Sequence, residues 1–335
     1  MKTGLRTAAV GSLPHHNVDA ALKWVFELDL PTLPQIPKRN SWEYMLPQAL
    51  EGLPGLEVDS EGSCQIDLHR WEGLRRHLDE KLDHAFKSRE FSGFEAFEPT
   101  ASTYSAWEPF LWEATERKVP QVKVQLAGPL TSAFALSPKN GRLLDYDLFP
   151  ELSTQVVRLG LARLTAMARR LKHENLRALV VLDEPGLYAL DLTRPLHQVA
   201  WQEWKLLLHA LSREPGIEVG VHCCSDTDWN LLLEIPELRY LSLDTALSLA
   251  SLKLASQPLQ KFLERGGTLG LGALGSGGAH LVSKASLVEF FQEFSLARES
   301  SLLTPSCGLA LISTLEAEEI LRALKDLKMA LQRER

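Results

Sequence analysis

Ala178-Leu179-Val180-Val181-Leu182-Asp183-Glu184-Pro185 is an apolar, β-branched run that stops on two acids and a proline. A short continuous apolar run bounded by turn residues reads as a strand buried on both faces, the kind that builds parallel sheets. Working outward, runs of the same form recur at 7–12, 30–37, 123–128, 218–224, 240–245, 268–274 and 302–307, each ending near Gly, Pro, Ser, Asp or Cys. Helical patterns lie between most of them, so the chain alternates β and α. Eight such units close a barrel, and 335 residues are enough for one. The expected fold is an α/β (β/α)8 TIM barrel, a single domain over 1–335.

Asn17 is placed to cap a helix over 18–28, and 152–172 carries Val157, Leu159, Leu161, Leu164 and Met167 near helical spacing. Further helices are expected after Trp201, Asp228, Gln257 and Ser286, with Pro258 suited to a first helical position. The last, 315–332, begins acidic and ends basic, matching the helix dipole. Residues 41–119, between the second and third runs, are too many for one crossover and read as an inserted helical subdomain. Its Trp42, Trp71, Trp107 and Trp112 are expected mostly in its own core, and its departure from the C-terminal rim puts it within reach of the barrel mouth.

A net charge of −7 with no Lys/Arg block argues against nucleic acid or an anionic membrane surface as partner and for small molecules or another protein. Met1-Lys2-Thr3-Gly4-Leu5-Arg6 lacks the apolar core of a signal peptide, and no apolar stretch is long enough to span a bilayer, so a cytoplasmic location is expected. Four cysteines, two of them adjacent, make a poor disulfide framework and turn attention to metal or redox chemistry.

Alternate residues of a strand share a face, so His222 and Cys224 can reach one ion while Cys223 points away. Asp244 and Cys307 end two other expected strands, where a barrel gathers its catalytic residues. One imidazole, two thiols and a carboxylate form a ligand set for zinc, and ligands from distant strands do not resemble the close-spaced knuckles of a structural site. The alternative is that these are core residues and a strand end. Gly270 to Gly278 is glycine-rich without the Lys of a P-loop and is expected to let the seventh loop turn tightly; His15-His16 is expected in an exposed cap region.

The chain resembles the C-terminal barrel of cobalamin-independent methionine synthase, within the uroporphyrinogen-decarboxylase-like superfamily. Val10-Gly11-Ser12-Leu13-Pro14 is similar to the family's Gly-Ser-Phe-Pro turn, Ala127-Gly128-Pro129-Leu130-Thr131 to its Gly-Pro-Val-Thr element and Leu182-Asp183-Glu184-Pro185 to its Asp-Glu-Pro element. Val221-His222-Cys223-Cys224-Ser225 resembles its His-x-Cys motif, Leu243-Asp244-Thr245 stands at its Glu-Thr, and Pro305-Ser306-Cys307-Gly308-Leu309 resembles its Pro-Asp-Cys-Gly-Leu. The elements keep the family's order across essentially the whole chain. The resemblance implies a zinc-dependent methyltransferase in which His222, Cys224 and Cys307 hold Zn2+ and Asp244 is the fourth ligand; since four protein ligands fill a tetrahedral site, an incoming thiol must displace one, and the Asp244 carboxylate is the most easily exchanged. It implies that Gly11, Ser12, Asp183 and Glu184 frame the polar end of an amino-acid thiol, homocysteine foremost. Ser12 also reads as a strand-terminating turn, and the two acids also read as a helix cap.

Where the synthase has a glutamate after its second strand, this chain has Leu33-Pro34-Gln35-Ile36-Pro37. Gln35 can hydrogen-bond an amino group but cannot pair its charge; Glu43 reads either as a substitute or as a helix start. The synthase is a double barrel and the resemblance covers its second half, which leads to the expectation of a methyl-corrinoid donor, carried on a partner protein, in place of a methyl-folate. Three other readings stay open: a corrinoid-dependent transferase for a different thiol, a non-catalytic zinc-containing accessory protein of corrinoid metabolism, and a porphyrinogen decarboxylase, which has no use for a thiolate-rich site.

Overall fold

The computed structural model describes residues 4–88, 91–139, 149–276 and 282–334. Ten strands fall among them: β1 Arg6–Thr7, β2 Leu56–Val58, β3 Cys64–Ile66, β4 Gln121–Ala127, β5 Ser137–Pro138, β6 Arg177–Asp183, β7 Ile217–Cys223, β8 Leu238–Asp244, β9 Thr268–Leu274 and β10 Leu302–Pro305. Seven form one curled parallel sheet in the order β1-β10-β9-β8-β7-β6-β4. The chain is thus mixed α/β with helices between successive sheet strands, as the alternating runs imply.

The second run, 30–37, is not a regular strand. Prolines at 31, 34 and 37 have no N–H to give to a ladder, so pairing breaks into isolated bridges. Ala8 bridges Leu30 and Ser12 bridges Gln35 on one side, and Thr32 bridges Lys123 on the other. The backbone N–H of Leu30 donates to Thr7 (3.0 Å), and that of Leu33 to Lys123 (2.8 Å). This segment therefore joins the two edge strands of the sheet.

Residues 41–119 are not purely helical, which corrects the sequence expectation. Around Asp59, whose Oδ1 accepts the backbone N–H groups of Glu61 and Ser63, the chain turns tightly with Gly62 at φ +81°. The turn pairs β2 with β3 antiparallel, and β3 then pairs in parallel with β5 beyond the third sheet run. Helices Leu68–Lys87 and Trp107–Glu116 follow. Trp71 and Trp107 are fully buried and Trp42 is half-buried, whereas Trp112 is exposed. Trp71 shares a cluster with Leu78, Leu82, Leu152 and Val156, so this region packs on the long helix Phe149–His173.

Asn17 caps Val18–Val25 through the N–H of Ala20, and Ser313 caps Thr314–Arg333 in a reciprocal box with Glu316. The helix after β6 begins at Pro195, ahead of Trp201. His15 is buried rather than exposed, its Nε2 3.6 Å from Glu318 Oε1, because the turn after β1 lies beneath the last helix; His16 is exposed as expected. Burial holds the His15 pKa below its usual value.

Register places Lys123, Gln125, Asp183, His222, Tyr240, Ser242 and Thr304 on one face of the sheet. Low on that face, Ala8, Leu30, Leu179, Val181, Tyr240 and Leu302 make a small apolar cluster. Tyr240 fits only because its neighbours are glycines: a Cβ at Gly220 would lie 2.7 Å from its ring, and one at Gly270 would lie 2.0 Å from its hydroxyl. Gly270 is therefore a strand residue making room for a side chain; Gly277 and Gly278, at the end of the same glycine-rich run, lie outside the described residues, as do Met1, Lys2 and Thr3.

Candidate metal centre

β7 ends at Cys223 and the chain bends at Cys224, β8 ends on Asp244, and β10 is followed by Ser306 and Cys307. The loop holding Cys307 is fixed by backbone bonds from Ser306 N–H to Leu274 (2.8 Å) and from Leu309 N–H to Ser12 (2.8 Å). As a result one ligand atom each from His222, Cys224 and Cys307 lies within 4.8 Å of the others. His222 is buried and both cysteines are half-buried. Cys223 points away, wholly buried in the main core, with its Sγ donating to the carbonyl of Ser225 at 3.2 Å.

Within this trio, His222 Nδ1 is 3.0 Å from Ser242 Oγ, while buried Nε2 has no hydrogen-bond partner. The neighbouring Cys224 thiol, and then the His222 imidazole, hold Cys307 below the usual thiol range; the nearness of Cys307 and burial push Cys224 up. Two sulfurs thus lie close to an imidazole whose Nε2 has a free position. Such a nitrogen and two sulfurs, converging from the ends of β7 and β10, fit zinc in both ligand type and softness.

Asp244 is close by but engaged elsewhere. Its Oδ1 accepts the N–H groups of Ala246 (2.9 Å) and Leu247 (3.3 Å), capping helix Thr245–Leu254, and it lies outside the close trio. Asp183 pairs in register with His222 and is buried, with Oδ1 unpartnered; burial pushes its pKa up to about 6 against the pull of His222 and Lys123. Glu184 has no such free position. Its carboxylate accepts from Leu130 N (3.2 Å), Thr131 N (2.7 Å), Thr131 Oγ1 (2.6 Å) and Trp204 Nε1 (2.8 Å), capping the helix Pro129–Ala135. Of the two roles open to these acids, Glu184 takes the capping one, on a helix earlier in the chain than itself.

Ser12 abuts the ligand loop, since a Cβ on Gly308 would lie 2.2 Å from its Oγ. Gly11 faces Gln125, which leaves no space for a side chain at 11. Gln35 is buried and donates to Gln48 Oε1 at 2.6 Å. Glu43 is buried and accepts the Ile36 N–H at 3.2 Å, so it braces the 30–37 segment. Two residues on the sheet's inner face were missed from sequence, Lys123 and Ser242. Lys123 is wholly buried, donates to the carbonyl of Val10 and to Gln125 Oε1, and is pushed down to about 8 by burial. The signal for both was strand alternation, which aligns Ser242 with Asp244 and Lys123 with Gln125.

The same fold occurs in a putative vitamin-B12 independent methionine synthase from Listeria monocytogenes, at 14% identity over 94% of this chain and 85% of that one, with a TM-score of 0.55. It also occurs in a methyltransferase from Methanosarcina mazei, at 14% identity over 96% and 94% of the two chains, with a TM-score of 0.52. The shared fold is the one the sequence resemblance implies. No protein-family model matches the sequence, and no curated protein matches it. Among the described residues no helix is long and apolar enough to cross a membrane.

Proposed function

We propose that the chain is a zinc-dependent methyltransferase that methylates a thiol, with homocysteine the leading acceptor and methionine the product. The observation that carries this reading is the convergence of His222, Cys224 and Cys307 within 4.8 Å at one end of the sheet. Zinc bound there supplies the positive charge that strips a thiol of its proton at neutral pH, without a general base. The acceptor sulfur then forms a bond to the methyl carbon as the donor departs with the electron pair of the bond it loses.

The remaining residues are assigned to binding. Asp183 Oδ1, buried and unpartnered, takes the ammonium group of the amino-acid thiol. Ser12 and Gln35, bridged to each other at the ends of their segments, hold its polar end, and Gly11 keeps the backbone close. Glu184 acts indirectly, by pinning the turn that carries Asp183. The donor is proposed to be a methyl-corrinoid, free or on a partner protein, ahead of a methyl-folate. We read the seven-stranded sheet plus the 30–35 segment as an eight-stranded barrel, and 41–119 as an insertion in that single domain.

Asp244 is proposed as the exchangeable fourth ligand. Leaving its helix cap costs about 1 kcal/mol, little beside a metal bond, so the carboxylate can swing between the two roles. Asp244→Ala is expected to reduce both zinc occupancy and turnover; unchanged values for both would remove it from the centre. The activity itself is tested by supplying methylcobalamin or methyl-folate with a panel of thiols and measuring methylated product. Product from neither donor with any thiol would leave a binding protein as the better description.

A further inference from the structure

We infer that Ser242 is a positioning residue for the metal centre, its hydroxyl holding the His222 imidazole so that Nε2 faces the two cysteine sulfurs. This rests on the zinc reading and extends it to a residue outside the ligand set. Ser242 and His222 are register partners on β8 and β7, both buried, with Oγ 3.0 Å from Nδ1. His222 converges with Cys224 and Cys307, and with Nδ1 at the Ser242 hydroxyl, Nε2 is the ring nitrogen left without a partner and free to serve as the ligand atom.

A neutral imidazole carries one proton. When Nε2 gives its lone pair to a metal, that proton sits on Nδ1, and in a buried site Nδ1–H needs an acceptor. Ser242 Oγ is placed to accept it. On its other side Ser242 pairs in register with Gly270, whose backbone comes so close that a Cβ there would lie 2.7 Å from Ser242 Cβ. Ser242 is thus held between two paired strands, with its hydroxyl at the imidazole. Asp244, two residues along the same strand, is turned to its helix cap and does not compete for Nδ1.

The test uses the full chain with zinc alone. Zinc affinity is measured by competition with a chromophoric chelator in wild type and Ser242→Ala, a change that removes one oxygen and adds no volume. In parallel, the His222 Nδ1–H resonance of the zinc-loaded proteins is followed by proton–nitrogen correlation. The expected result is an affinity weakened by about 10- to 100-fold, with an Nδ1–H signal that is slow to exchange in wild type and exchange-broadened in the variant. Equal affinities and equal exchange, with zinc bound by both proteins, would overturn the role of Ser242 and leave the metal centre standing. A merely structural serine would lower the melting temperature and move neither readout, which is the same refutation. Failure of wild type to bind zinc at all would overturn the centre and this inference together.

Discussion

Cys307→Ser is expected to strip the chain of most of its zinc, and Cys224→Ser to do the same. A hydroxyl is a poor substitute for a thiolate, since it stays protonated near neutrality and is a harder donor. Apparent zinc binding in small Cys/His sites amounts to about 10–16 kcal/mol. Shared over three or four ligands, that is roughly 3–4 kcal/mol for each, or about two to three orders of magnitude in affinity. Metal analysis after dialysis against a mild chelator reads this directly. Both cysteines are half-buried at strand ends, so each variant should keep its fold. Cys223→Ala supplies the control: its side chain sits in the core facing away from the trio, so it should lose some stability and keep its zinc. Undiminished zinc in both serine variants would end the metal reading.

Glu184→Ala should be the most destabilising single change near the site. The carboxylate takes two backbone N–H groups at the start of helix Pro129–Ala135, the Thr131 hydroxyl and the Trp204 indole, all buried. Removing it strands several donors away from water, for a loss of about 4 kcal/mol. Burial pushes this carboxyl up to about 7 despite its donors. The folded state therefore binds the Glu184 proton more tightly than the unfolded chain does. Its contribution to stability is greatest below the ordinary glutamate pKa and is lost as pH rises through about 7. Glu184→Gln should flatten that slope between pH 5 and 8 while keeping part of the hydrogen bonding. Denaturant melts across this range give both numbers; a Glu184→Ala protein as stable as wild type would show that the carboxylate anchors nothing.

The Glu184 cluster also shows how far local sequence could be read. Gly128-Pro129-Leu130-Thr131 and Asp183-Glu184-Pro185 are each legible as turns at strand ends, but nothing in either says that they interlock. They do so because β4 and β6 are neighbours in register, with Ala127 beside Asp183, which leaves Gly128 against the Glu184 carboxylate with no space for a Cβ. In 30–37, apolar character suggested a full strand, and prolines reduced it to bridges. In 41–119, length alone suggested a helical insert, and the cue to the hairpin it contains was the short polar turn at 59–63. His15 looked like a surface residue because its burial comes from a helix some three hundred positions away.

Periodicity and residue type were enough to reveal the alternating α/β order, the parallel strands, and the nearness of His222 to Cys224, because those properties depend on neighbours within a few positions. Folding alone settled which acid would be free and which would be spent. Asp183 keeps an unpartnered oxygen while adjacent Glu184 is saturated by donors from two other elements, and Asp244 is drawn to a helix end. The reason is physical: a side chain's hydrogen-bonding capacity is filled by whatever the packing brings within about 3 Å, and such partners come from any part of the chain.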